Sequence, residues 1–193
     1  MTLTSIAYDL DQFIQTSQNN LGLLLELMGA MWVLNLANWW LNLHLNSLGL
    51  IPRRARGLIG IFTNCFLHKD FNHLFFNSIP LFALGLVMLS FGVQVFYLAS
   101  VIIVLLGSVA VWCVGRPGNH IGASALITGY FSYIIASAYK EPTVSSIFIA
   151  VIILYYFGSI FLGIFPTSAK TSWEGHLFGF LAGIAAYFIL MLS

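Results

Sequence analysis

The chain has 193 residues, enough for one domain, of which 60% are hydrophobic and only 7% charged. Soluble domains carry about 25% charged residues, so this composition lacks the polar surface of a water-soluble fold, and a net charge of +1 gives no footing for nucleic acid or an acidic partner. Lipid admits only helices and closed barrels, and the long apolar runs are not the alternating pattern of a barrel. An all-α polytopic membrane bundle remains.

Residues 1–20 are mixed polar and predict a short extramembrane segment, such as an interfacial helix. The opening MTLTSIAYDLDQ has no basic stretch ahead of an apolar core, unlike a cleaved signal. Six spans follow in one unit, 21–193: at 21–45, 71–91, 93–114, 122–139, 144–165 and 174–192, each near the length that crosses hydrocarbon. Asn35, Asn38, Asn42 and Asn46 form a stripe at helical spacing on the first span and read as interhelical hydrogen bonding. Trp39 and Trp40 read as interfacial anchors, and His44 as an interface residue.

The connection 46–70 holds Arg53, Arg54 and Arg56 among Leu48, Leu50, Ile51, Leu58, Ile59, Ile61 and Phe62, and is expected to dip into the membrane interface. Pro52, Pro117, Pro142 and Pro166 fall between spans as breakers, only Phe91-Gly92 divides the second span from the third, and Pro80 should kink the second. Cys65 and Cys113 have neither metal nor redox spacing and read as buried apolar packing residues.

Consecutive spans alternate in direction, so the second, fourth and sixth start on one face of the membrane. At the start of the fourth, His120-Ile-Gly122-Ala-Ser124-Ala125 contains a Gly-x-Ser in which the glycine allows the turn into the helix. Alone, Ser124 reads first as a helix-start serine capping its own backbone. His176, in the first turn of the sixth span, reads equally as an interfacial residue or as the functional group that an intramembrane ionisable side chain signals. Together they say more. Ala125, Gly129, Ser132 and Ala136 line one face of the fourth span, and His176, Gly179, Gly183 and Ala186 line one of the sixth. Small residues four apart let membrane helices approach closely, bringing Ser124 within reach of His176. A neutral imidazole is the usual base for a serine hydroxyl.

Acyl transfer also needs donors for an oxyanion. The second span begins His68-Lys-Asp-Phe-Asn-His73-Leu-Phe-Phe-Asn77, with His73 and Asn77 on one side of a helix. Asn77 offers its amide and His73 a ring N–H, and the backbone N–H of Ser124 is a third candidate. Asn77 reads alternatively as an interhelical hydrogen bond, and His68 is read as a loop contact. His120 reads as a loop residue, with substrate contact as the alternative. Asp70 is read as a loop charge, and Glu174, on a different face from His176, is not taken as a triad carboxylate.

These residues resemble the rhomboid family of intramembrane serine proteases. His68-x4-His73-x3-Asn77 is similar to the family's second-span motif, Gly122-x-Ser124-x to its nucleophile motif, and His176-x2-Gly179-x3-Gly183 to its last-span motif, in order and register from about residue 50 onward. The resemblance implies a six-helix bundle in a bacterial inner membrane that cleaves single-span membrane proteins within the lipid bilayer. Ser124 would be the nucleophile, His176 the base, and His73, Asn77 and the Ser124 backbone the oxyanion hole, with no metal or other cofactor. Departures are Ala125 where the family often has glycine, Thr128 where some members stack an aromatic on the catalytic histidine, and no aromatic-arginine pair in the first loop. With Thr128 there, something else must hold His176.

The loops on the site's side carry Arg53, Arg54, Arg56, Lys69, Arg116 and Lys170 against Lys140 alone on the other. The positive-inside rule points that side to the cytoplasm, whereas the family places it outside; the family's orientation is the one adopted. Two competing readings are a non-catalytic relative that binds transmembrane clients and a small transporter or metal-handling protein using His68, His73, His120 and His176. Neither an HExxH motif nor an inverted repeat supports the last.

Overall fold

A computed structural model describes residues 3–165 and 172–192. Pro166 and Lys170, expected to break and charge the last loop, lie outside the described residues. Among the described residues eight α-helices follow in chain order: α1 Leu3–Trp40, α2 Gly60–Thr63, α3 Phe71–Ser90, α4 Val93–Val114, α5 Ser124–Lys140, α6 Val144–Phe157, α7 Ser159–Leu162 and α8 Trp173–Met191. Among the described residues the only strand-like pairing is one antiparallel bridge between Leu50 and His120. The chain is therefore an all-helical membrane bundle. Asp11–Trp40, α3, α4 and α8 are long and apolar enough to cross a bilayer. The 17-residue α5 and 14-residue α6 are shorter, α6 rising about 21 Å.

The second, third and sixth spans end within a residue or two of their expected limits. The first and fifth do not. No break marks residue 20, because α1 runs through it. The first span stops at Trp40, short of 45, where Asn42 and His44 take left-handed φ values of 51° and 57°. Asn38 Oδ1 there accepts the Leu45 N–H at 2.8 Å, drawing the chain back. The asparagine stripe is thus not one helical face: Asn42 and Asn46 lie beyond the helix. Instead, Asn35 and Asn46 fasten the first loop. Asn35, fully buried, donates to Phe66 O and accepts the His68 N–H, both at 2.8 Å. Asn46 Nδ2 and Trp39 Nε1 both donate to His68 O. Trp39 is therefore a hydrogen-bonded staple, while Trp40 stays 89% exposed as an anchor would. The fifth span divides at Gly158 into α6 and α7. α3 continues through Pro80, which has no N–H to offer the Phe76 carbonyl.

The core is centred on α5, whose Tyr130, Thr128 and Ser132 are all but fully buried among Leu84, Ile103 and Ala186. Its seam with α8 is backbone against backbone. A side chain at Gly179 would overlap Ala125 O and Thr128, and one at Gly183 would overlap Gly129 O and Ser132. The two contacts share one sequence offset, so α5 and α8 run parallel and in register. Ser132 Oγ locks the register by donating to Phe180 O at 2.6 Å. The outward faces carry exposed Phe148, Val151, Tyr155 and Phe188, as a bundle solvated by lipid requires.

Candidate active site

Ser124 is the first residue of α5, and the capping role is not the one it has. Ala123 occupies the cap position, and no hydrogen bond engages the Ser124 hydroxyl among the described residues. As the first residue of its helix, Ser124 also has a backbone N–H without an intrahelical acceptor. The segment before it is tied down on three sides. Leu50 and His120 exchange backbone hydrogen bonds at 3.1 and 2.8 Å, Gly122 N–H donates to Asn64 O at 2.9 Å, and Ala123 N–H donates to His68 Nε2 at 3.3 Å.

Gly122 has φ 121°, a region that side chains avoid, and there is no room for one. The position of a Cβ lies 2.7 Å from both Cε1 and Nε2 of His73 and 3.3 Å from Nδ2 of Asn77. The two α3 side chains thus face the nucleophile motif together. His73 Nδ1 receives the Lys69 N–H at 3.5 Å, which in the neutral ring leaves the proton on Nε2, toward Gly122. Asn77 Nδ2 is buried and, among the described residues, has no hydrogen-bond partner. A buried amide left unpaired costs about 1–3 kcal/mol, and native structures keep such groups rarely.

His68 is fully buried, its ring edge-on to His73 at 5.1 Å. Burial pushes its pKa down to about 4, so the ring is neutral near pH 7 and Nε2 can accept from Ala123. It is a strut beneath the nucleophile loop, consistent with its reading as a loop contact. Asp70 is more than a loop charge: Asp70 Oδ1 caps α3 by accepting the His73 N–H at 2.9 Å.

His176 lies one turn before Gly179 and so at the level of Gly122–Ser124 across the α5–α8 seam. No hydrogen bond joins it to Ser124 among the described residues. Its Nδ1 instead lies 3.1 Å from Gly163 O, just past α7. A carbonyl can only accept, so Nδ1 carries the proton and Nε2 is left with its lone pair. This backbone carbonyl answers what holds His176 where Thr128 replaces an aromatic: Thr128 Oγ1 is turned away, donating to Ala125 O at 2.9 Å.

Two residues outside the expected site fasten the nucleophile loop to α8. Arg116 reaches Glu174 through Nε at 2.5 Å, Nη2 at 3.1 Å and its backbone N–H at 3.2 Å, and its guanidinium lies 5.9 Å over the Trp173 ring. Glu174 is buried although Arg116 is half-exposed. His120 Nδ1 is 2.6 Å from Ser172 Oγ, the cap of α8. His120 thus ties the loop before α5 to the start of α8. Glu174 is the ion-pair partner of Arg116. Asn64, Ser108, Ser124 and Ser172 border a cavity of about 30 Å³, room for a single water. Among the described residues no three His, Cys, Asp or Glu side chains are grouped to hold a metal.

The sequence is similar to known proteins. The rhomboid domain matches residues 55–193. An uncharacterized protein of Mycobacterium bovis is 31% identical, the match covering 86% of this chain and 73% of that protein. One from Mycobacterium leprae is 27% identical over 86% of this chain and 70% of its own. The fold is that of a multi-pass helical membrane protein, and the chain belongs to the rhomboid family.

Proposed function

We propose that this chain is an intramembrane serine endopeptidase of a bacterial inner membrane, with Ser124 as nucleophile and His176 as general base and acid. The observation that carries this reading is the buried amide of Asn77 beside Gly122, two residues before Ser124: among the described residues neither that amide nitrogen nor the Ser124 hydroxyl has a hydrogen-bond partner. A donor kept without a partner, next to a nucleophile, suits a charge that exists only during reaction.

In the proposed reaction His176 Nε2 takes the Ser124 proton as Oγ attacks the scissile carbonyl carbon of a single-span substrate. The oxyanion is received by Asn77 Nδ2–H, His73 Nε2–H and the Ser124 N–H. Collapse breaks the C–N bond, and His176 gives its proton to the leaving amine, leaving an acyl ester on Ser124. A water then attacks with His176 again as base. The ester breaks, the acid departs, and Ser124 regains its proton. Gly163 O steadies the imidazole throughout. No cofactor enters. The helix of a substrate must unwind first, since a helical carbonyl is hydrogen-bonded and hidden.

A second reading, a client-binding protein without catalysis, draws on the absence of a Ser124–His176 hydrogen bond, although such bonds often tighten only in the substrate complex. A fluorophosphonate probe separates the two. Labelling of the purified protein, lost in both Ser124→Ala and His176→Ala, supports the protease. An unlabelled but well-folded wild type favours client binding.

A further inference from the structure

A cavity of about 390 Å³ opens on the α1–α4 side of the bundle and is almost wholly apolar. α1 forms one wall through Leu24 and Met28, and the first loop forms the other through Phe62 and Phe66. Its floor is α4 and α5. The hydroxyls that border it, Ser100 and Tyr130, are 2.5 Å apart and satisfy each other. Nothing inside seeks a polar ligand, and the exposed rim (Phe62, Phe66, Val101) faces lipid.

The charge lies at one end. Along α4 the cavity runs from Phe96 to Leu105, about 14 Å of helix rise and close to one leaflet of a roughly 30 Å hydrocarbon core. Seven residues beyond Leu105, on the same face of α4, Trp112 Nε1 donates to Arg54 O at 3.2 Å. Arg53 is committed there to the carbonyls of Cys113 and Gly115. Arg54 and Arg56 are exposed, and among the described residues no hydrogen bond or ion pair occupies either guanidinium. From them the loop descends through exposed Leu58 and Ile59 to Phe62 in the cavity wall.

We propose that this cavity seats one acyl chain of an anionic phospholipid, whose phosphate rests on Arg54 and Arg56. An acyl chain about 14 Å long matches the apolar slot along α4, and the two exposed cations beyond its end, which make no hydrogen bond or ion pair among the described residues, select the head group. This site is independent of the chemistry at Ser124.

The test is native mass spectrometry of the intact detergent-purified protein given equal concentrations of phosphatidylglycerol and phosphatidylcholine with the same oleoyl chains. Wild type should retain one phosphatidylglycerol in preference by about thirtyfold, the effect of two cations near a phosphate. Arg54→Gln/Arg56→Gln should abolish that preference. Val104→Trp, which fills the cavity, should lose the retained lipid; Val101→Trp at the exposed rim serves if the first does not fold. A diazirine on the phosphatidylglycerol chain should label α1 and α4 beside the cavity. Equal retention of both lipids, unchanged preference in the arginine variant, labelling confined to α6 and α8, or displacement by glycerol phosphate lacking chains would each overturn the proposal.

Discussion

The two halves of the candidate site are held by different means. On the nucleophile side, the segment before Ser124 is fixed by Leu50, Asn64 and His68, while α3 presents His73 and Asn77 against Gly122 with no space between. On the base side, α8 is held firmly against α5, but the His176 ring itself rests on one carbonyl, Gly163 O. That carbonyl lies between a four-residue helix and the loop beyond it. Oxyanion donors work by being in place before charge develops, so they belong on the rigid side. In the proposed reaction the base must turn from nucleophile to leaving group, and a single backbone contact at the far nitrogen fixes the His176 tautomer, with no hydrogen bond at Nε2 among the described residues.

The largest expected effect comes from the rigid half. Asn77→Ala removes a donor and should slow fluorophosphonate labelling by about 10²–10³-fold. It also removes a buried amide nitrogen that has no partner among the described residues, so the thermal midpoint should hold steady or rise slightly. A loss of labelling together with a large fall in the midpoint would make Asn77 a packing residue and dissolve the contrast. The movable half should respond less. In Gly163→Ala the new methyl would meet His176 Nδ1 and come within 3.0 Å of Cε1, displacing the ring from its carbonyl. Misplacement on the order of an ångström costs up to about 10²-fold; a loss of 10–100-fold in labelling rate with an unchanged midpoint is expected. Unaltered labelling would mean that Gly163 O does not position the base.

What was legible in the sequence was what helical periodicity carries. His73 and Asn77 four apart, and the Ala125–Gly129 and Gly179–Gly183 stripes, are local patterns, and the helices that bear them end close to where hydropathy places them. The Gly163 carbonyl was not legible, because a backbone atom has no letter. The pairing of Glu174 with Arg116 was not legible either, because it joins residues 58 apart and depends on how the loop before α5 folds over α8. The end of α1 was misread for a related reason. Asn42 and Asn46 keep helical spacing, yet the backbone at Asn42 and His44 is left-handed, and Asn38 makes a competing bond to Leu45 N–H. Local spacing cannot report a turn that a side chain imposes on its own backbone.

The smallest effect separates the halves by pH. His68, the strut under the nucleophile loop, is neutral when folded down to about pH 4 against an ordinary value of 6.5. Above about pH 6.5 it is neutral in both the folded and unfolded states and contributes no pH dependence. As pH falls from there toward 4, the unfolded chain takes up a proton that the folded chain excludes, so stability falls with falling pH. Charging the ring would also put a proton on Nε2, where the Ala123 N–H now donates. Between pH 7 and pH 5 the wild type should lose on the order of 1–2 kcal/mol more than His68→Gln. The measurement is the slope of stability with pH in detergent, which is informative even if the glutamine lowers stability at every pH. Parallel slopes would move the acid sensitivity away from the strut, and with it the claim that the nucleophile side is locked by a neutral histidine.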